Sequence, residues 1–220
     1  MRKLVAMFVF SVLVVMSSVA FAGLKDNKEN MQTLYGDYRL VIDTDNQLWT
    51  RADWEEKGYK KAKANSFTHS FSRQGVHMQM EVMYDGNKPE SLVQSQRFTP
   101  DTAIKVKDFK LYFPEVYELM KAPKVQFFAT KKSLSKNFQE HESPVSMGMI
   151  NRELIKQNGK YYYEVIAFNI QDEGRLIKEI EYINEDTYIK EFTIERTYRT
   201  TVHDAMDSSN PDWKIIKNYF

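Results

Sequence analysis

Between residues 66 and 84 apolar and polar side chains alternate with a period of two. With Gln74-Gly75 as the turn, Phe67, Phe71, Val76, Met78, Met80 and Val82 fall on one side, and Thr68, Ser70, Ser72, His77, Gln79 and Glu81 on the other. One buried and one solvated face marks an antiparallel hairpin. This register sets Arg73 opposite Val76, Phe71 opposite Met78, His69 opposite Met80 and Phe67 opposite Val82, so His69 lies on the apolar face.

A longer β-rich stretch runs over 147–200. Asn158-Gly159 divides its first half into two β-prone runs, and Asn-Gly suits a type I′ turn because both central residues need positive φ. The turn pairs Leu154 with Tyr163, Ile155 with Tyr162 and Ile150 with Ala167. A loop at Asp172-Glu173-Gly174 then brings Ile166 opposite Ile180 and Ile170 opposite Leu176, before a last strand over 187–198. Four consecutive antiparallel strands follow from this pattern.

Elsewhere the signals are shorter. Residues 38–43 and 47–50 read as a first hairpin around Thr44-Asp45-Asn46. Thr50-x-x-Asp53 opens one or two helical turns that Gly58 stops. Ile104, Val106, Phe109, Leu111 and Phe113 alternate like a bulged strand, yet Thr99-Pro100-Asp101 has the form of a helix start, so 102–113 fits either. Residues 114–121 make a helix opened by Pro114 and blocked by Pro123, and 125–130 a strand. The segment 131–146 is a polar connection. Asn210-Pro211-Asp212 caps a terminal helix that carries Trp213, Ile216 and Phe220 on one side. The expected fold is α+β: an antiparallel sheet built on a C-terminal four-strand meander, with a short middle helix and a C-terminal helix packed on it.

The first 22 residues have a different pattern. Arg2-Lys3 precede an apolar run over 4–16, and small residues follow, ending Ala20-Phe21-Ala22. This is the form of a secretory signal peptide cleaved between Ala22 and Gly23. An uncleaved anchor is the rival reading, because 4–22 is just long enough to span a bilayer. The small-x-small triplet followed by charged residues favours cleavage, which leaves no stable membrane anchor. The expected organisation is a signal peptide over 1–22, a flexible polar lead-in over 23–34 and one domain over 35–220.

Composition narrows the location and the chemistry. The chain carries 31 basic and 30 acidic residues, and cleavage removes two positive charges and no negative ones. Such a balance gives no electrostatic case for nucleic acid. The chain has no cysteine; in an exported protein that excludes disulfide scaffolds and thiol catalysis, and it favours a bacterial periplasm or secreted location.

Asn158-Gly159-Lys160-Tyr161-Tyr162-Tyr163, Glu179-Ile180-Glu181-Tyr182 and Tyr188-Ile189-Lys190-Glu191-Phe192-Thr193, in this order of elements, resemble the PsbP-like domain. That resemblance implies an antiparallel sheet carrying helices, an exported location, and a binding or assembly role more than a reaction. It departs from the family at Asp45-Asn46-Gln47-Leu48-Trp49, where the aromatic-Pro-x-x-Trp entry has no counterpart proline.

Candidate chemistry is sparse. The histidines, His69, His77, His141 and His203, fall at no metal-ligand spacing, and no nucleophile elbow, dinucleotide fingerprint, P-loop or zinc-protease motif occurs. No cofactor and no metal are expected. The 13 Tyr, 14 Phe and 3 Trp residues are the remaining resource. Trp49, Trp54, Tyr161 and Tyr163 are candidate stacking residues and His69 a candidate polar contact, while Tyr162 and the methionines at 78, 80 and 83 read as packing. The expected role is non-enzymatic binding of a small ligand, a glycan or another envelope protein. The rivals are a carrier of lipid or another apolar ligand, and a hydrolase using paired carboxylates in a surface cleft.

Overall fold

Met31, Leu34 and Tyr35 recur at helical spacing, and Lys28–Tyr35 wind into α1. The structure is a computed structural model that describes residues 23–130, 146–157, 159–170, 179–205 and 213–219. The segment 1–22, expected to be a signal peptide, therefore lies outside the described residues. Asn27 caps α1 by accepting the Asn30 backbone N–H at 3.0 Å. This helix corrects the expectation of a flexible lead-in over 23–34. Leu24, Met31 and Tyr35 are buried in the main core, and the polar residues that suggested a lead-in are the wet side of an amphipathic helix.

The first hairpin forms as expected, from β1 (Leu40–Asp43) and β2 (Leu48–Thr50). The Asp43 carboxylate holds the turn, accepting the backbone N–H of Asp45 and of Gln47 at 2.9 Å each. Thr50 caps the helical segment 51–61 (α2) by accepting from the Asp53 backbone N–H at 3.2 Å. Gly58 does not end that segment, which passes through a π turn over Trp54–Gly58 and continues through Tyr59–Lys61. A Cβ at Gly58 would strike Trp54 Cε3 and lie 3.2 Å from Trp49 Cε3. The glycine is therefore a packing requirement, not a stop.

β3 (Ala64–Arg73) and β4 (Val76–Tyr84) pair in the expected register, with Phe67 opposite Val82, His69 opposite Met80 and Arg73 opposite Val76. Gln74 (φ 51°) and Gly75 (φ 82°) supply the two positive φ angles of a type I′ turn. β5 (Val93–Pro100) follows. The undecided run then divides: Ile104–Lys105 is a short strand, β6, and Val106–Asp108 is a 3-10 turn leading into α3 (Phe109–Tyr112). Phe109 and Phe113 face inward one helical turn apart, while Leu111 is exposed. α4 (Pro114–Met120) and β7 (Val125–Thr130) match the sequence reading.

β8 (Ser146–Gln157) and β9 (Lys160–Ile170) form the second long hairpin, with Gly159 at φ 75°. Ile155 pairs with Tyr162 as expected, but Ile150 pairs with Val165 because the register shifts between Asn151 and Ile155. The extra residues bulge where the Arg152 N–H is taken by the Lys124 carbonyl beside β7. Beyond β9 the pairing differs from expectation again. Residues 182–183 form only a two-residue β10 (Tyr182–Ile183), and β11 (Tyr188–Tyr198) pairs directly with β9, placing Ile194 opposite Ile166. Leu176 lies outside the described residues. Ile180 and Ile183 are buried in the main core instead of lining a long strand.

α5 (Arg199–Ala205) is a helix near the C-terminal end; of the helix expected after Asn210-Pro211-Asp212, residues 213–219 are not helical, and Asn210, Pro211, Asp212 and Phe220 lie outside the described residues. Trp213–Ile215 (β12) extends the sheet edge alongside β7, and Lys217–Asn218 (β13) pairs in parallel with β10. The pairing partner at the β7 edge overrides the helix-cap signal.

The result is α+β: an antiparallel 11-stranded sheet in the order β12-β7-β8-β9-β11-β5-β4-β3-β1-β2, with β6 also on β11. Directly paired residues share a face, so Met80, Phe98, Phe192, Phe168 and Met147 form one row across five strands. Onto that row α3 and α4 bring Phe109 and Phe113. Phe113 lies 4.6 Å from Phe192 and 5.2 Å from Phe98 between ring centroids, and Phe109 lies 6.1 Å from Phe168. Burying each ring is worth about 1.5 to 3 kcal/mol. On the opposite face Val202 of α5 packs with Phe128, Ile150 and Val165.

Candidate ligand-binding surface

Trp49 and Trp54 do not form an open platform. Their rings meet edge to face at 6.0 Å within a small core that includes Val41 and Phe67. The Trp49 indole N–H donates to Asp43 Oδ2 at 2.8 Å. That bond, with the two turn N–H groups, holds the Asp43 carboxyl below its ordinary pKa.

His69 sits on the apolar face as the hairpin register requires and is 1% exposed. Its Nδ1 lies 2.8 Å from the Gly36 carbonyl oxygen. A carbonyl can only accept, so Nδ1 carries the hydrogen. Burial pushes the imidazole pKa down and keeps the ring neutral. His69 therefore ties β3 to the end of α1.

Tyr161 and Tyr163 lie on the other side of the molecule, separated from β3 in the sheet order by β11, β5 and β4. Tyr163 stacks on His203 of α5, with ring centroids 6.1 Å apart at 18°, and its hydroxyl lies 3.4 Å from His203 Nε2. Tyr161 is 47% exposed, with the Lys156 ammonium 5.8 Å from its ring. The fold brings Tyr161 and Tyr163 onto one face of β9, as alternation dictates, but places neither near Trp49, Trp54 or His69.

What the fold does assemble is a polar and aromatic shelf on the core face, beyond the rows that the helices cover. One row past Ile194 and Ile166 come Arg196, Glu164 and Asn151, and the next holds Tyr198, Tyr162 and Ile155. The Tyr162 and Tyr198 rings lie 4.8 Å apart at 38°, and Tyr198 is 45% exposed. Asn151 donates its amide to Glu164 Oε2 at 3.3 Å. Arg196 is buried, donates to the Val93 carbonyl at 2.6 Å, lies 3.6 Å from Asp85, and has its guanidinium 5.9 Å from the Tyr162 ring. Lys160 reaches the Tyr198 hydroxyl at 3.5 Å.

The two phenols are driven apart electrostatically. Burial, then the hydrogen bond to Tyr198, raises the Tyr162 pKa. The hydrogen bond from Tyr162, then that from Lys160, lowers the Tyr198 pKa.

Sequence reasoning assigned Tyr162 to packing and passed over Arg196, Glu164 and Asn151. Arg196 and Tyr198 continue the same alternation as Phe192 and Ile194, so the signal that could have found them is a polar break in an otherwise apolar face. Their meeting with Tyr162 and Asn151 depends on β11 lying beside β9.

Among the described residues no group of three or more His, Asp or Glu side chains could hold a metal ion. No described helix is long and apolar enough to cross a membrane. The fold and this surface define an α+β protein with an open aromatic shelf at one end of a large antiparallel sheet. The chain matches no protein-family model, no curated protein and no solved structure.

Proposed function

We propose that this is an exported, non-catalytic binding protein of the bacterial envelope that holds a saccharide on the Tyr162–Tyr198 shelf. The observation that carries the reading is the half-open tyrosine pair beside the Glu164–Asn151 couple. Phenol faces stack on the C–H face of a sugar ring, and a planar carboxylate and amide beside them match its hydroxyls. The PsbP-like resemblance points the same way, toward binding.

Two observations weigh against the rivals. Phe98, Phe109, Phe113, Phe168 and Phe192 occupy the layer between sheet and helices where an apolar ligand would lie. Every described carboxyl with a resolved pKa shift, Asp43, Asp53, Glu55 and Asp186, is pulled down, the wrong direction for a glycosidase general acid.

Screening the purified mature protein on an oligosaccharide array tests the proposal. A defined glycan class should bind, and Tyr162→Ala with Tyr198→Ala should abolish that binding without lowering Tm appreciably. Binding that survives the double substitution, or an array with no bound glycan, refutes it. Bare protein is expected in native mass spectra; co-purifying lipid favours the carrier instead. Amino-terminal sequencing of exported protein should start at Gly23, and a membrane-bound chain starting at Met1 would overturn the export reading.

A further inference from the structure

A chain without cysteine has no disulfide with which to tie one strand to another. Its sheet nevertheless sets two phenols where a different covalent link can form. Tyr162 of β9 and Tyr198, the last residue of β11, stand directly opposite each other in the ladder, so their side chains leave the same face side by side. The ring centroids are 4.8 Å apart at 38°, and the two hydroxyls are hydrogen-bonded to each other. That bond draws the Cζ ends of the rings together, and with them the Cε carbons ortho to each oxygen. Tyr198 is half open to solvent, and Lys160 reaches its hydroxyl at 3.5 Å. The hydrogen bond with Tyr162, then Lys160, holds the Tyr198 phenol below its ordinary pKa, and a phenolate yields an electron more readily than a phenol. Another tyrosine pair lacks this arrangement. Tyr182 and Tyr219 are both more exposed than Tyr198, but they meet edge to face at 5.6 Å and 76°, which aims the edge of one ring at the face of the other.

We propose that Tyr162 and Tyr198 form a dityrosine cross-linking site, coupled by a one-electron oxidant such as a peroxidase acting with hydrogen peroxide. Each phenol loses one electron and one proton to give a phenoxyl radical, Tyr198 first because it is the open member of the pair. The two radicals join in a new Cε–Cε bond, and the hydrogens on those carbons move to the oxygens, which restores both phenols. The protein loses two hydrogens in all, and hydrogen peroxide takes up the two electrons and two protons to leave as two waters. The bond ties β9 to β11 where the chain enters α5.

The test treats dilute mature protein with a peroxidase and hydrogen peroxide and follows dityrosine fluorescence. The fluorescent product should run as a monomer on a denaturing gel. Trypsin should then release one species that joins residues 161–175 to residues 197–199, two hydrogens lighter than the sum of the two peptides. Neither peptide contains methionine, so oxidation of that side chain does not disturb the mass. Tyr162→Phe and Tyr198→Phe each remove only a hydroxyl, and each should abolish the joined species. Tyr161→Phe and Tyr163→Phe should leave it in place. A link that maps to Tyr182 and Tyr219, fluorescence found only in cross-linked dimers, a joined species that survives Tyr162→Phe or Tyr198→Phe, or no dityrosine at all overturns the proposal.

Discussion

Gly148 offers a place where two general rules predict opposite signs and the structure decides between them. Its φ lies outside the left-handed region, so alanine fits the backbone. A glycine inside a strand costs roughly 0.5 to 1 kcal/mol relative to alanine, so backbone preference alone predicts that Gly148→Ala stabilises. The space at the site predicts the reverse. A Cβ there would strike Phe128 Cζ and lie 2.8 Å from Phe128 Cε1 and 2.9 Å from the Ile166 carbonyl oxygen. The carbonyl belongs to the paired strand β9 and cannot swing away, and the ring is fixed in the cluster with Ile150, Val165 and Val202. Overpacking costs about 1 to 3 kcal/mol, and contacts this short against a fixed carbonyl and ring put this site in the upper half, about 2 to 3 kcal/mol, which leaves a net loss of about 1 to 2.5 kcal/mol after the backbone gain. For a chain of this length that is a Tm drop of about 2 to 10 °C. Urea unfolding followed by tryptophan fluorescence should show a lower midpoint with an unchanged slope. Phe128→Leu in the same chain should recover part of the loss, giving a coupling energy of at least about 0.5 kcal/mol. A Gly148→Ala protein as stable as the parent would refute the packing argument, and strictly additive substitutions would show that Phe128 is not the obstacle.

Three further outcomes follow from the geometry. Met31→Ala should cost about 2 to 5 kcal/mol, because the side chain is buried beneath α1; a change near zero in urea unfolding would return residues 23–34 to the status of a lead-in. Asp43 has a depressed pKa, so its contribution is fully present above its unfolded value of about 3.9 and is lost as pH falls through the lower folded value. The stability gap between the parent and Asp43→Asn should therefore close below about pH 4, and a gap independent of pH would sink the assignment of that turn to the ionised carboxylate. Gln74→Asn should stabilise the β3–β4 hairpin by a few tenths of a kcal/mol, because Gln74 holds φ 51° and asparagine tolerates that region better. A lower Tm would show that the Gln74 side chain makes a contact of its own.

The shelf shows how a candidate site can be half legible. Tyr161 and Tyr163 were visible as aromatic positions on one face of a strand, and the fold left Tyr161 open. Tyr162 read as packing because alternation turns about half of a strand's aromatics inward, and the polar break at Glu164 on the same face was not used. Only the pairing of β9 with β11 brings Tyr198 to 4.8 Å from it. Trp49 and Trp54 bordered a turn and could have been open, but the Asp43 bond and the room at Gly58 fold them inward.

Alternation and turn chemistry act within about ten residues, and there the amino-acid order alone determined the outcome. It settled the register of β3 on β4, the Ile155–Tyr162 end of β8 on β9, the helix opened by Pro114 and the strand over Val125–Thr130. Which strand lies beside which was decided only in three dimensions. Residues 182–183 lost the place beside β9 to Tyr188–Tyr198 because β11 brings a full strand of partners, with Phe192 completing the row from Met80 to Met147. The same long-range burial drew α1 out of a polar lead-in and turned 213–215 from helix into edge strand. Sheet order depends on apolar area shared between segments far apart in the chain, and no local pattern carries that information.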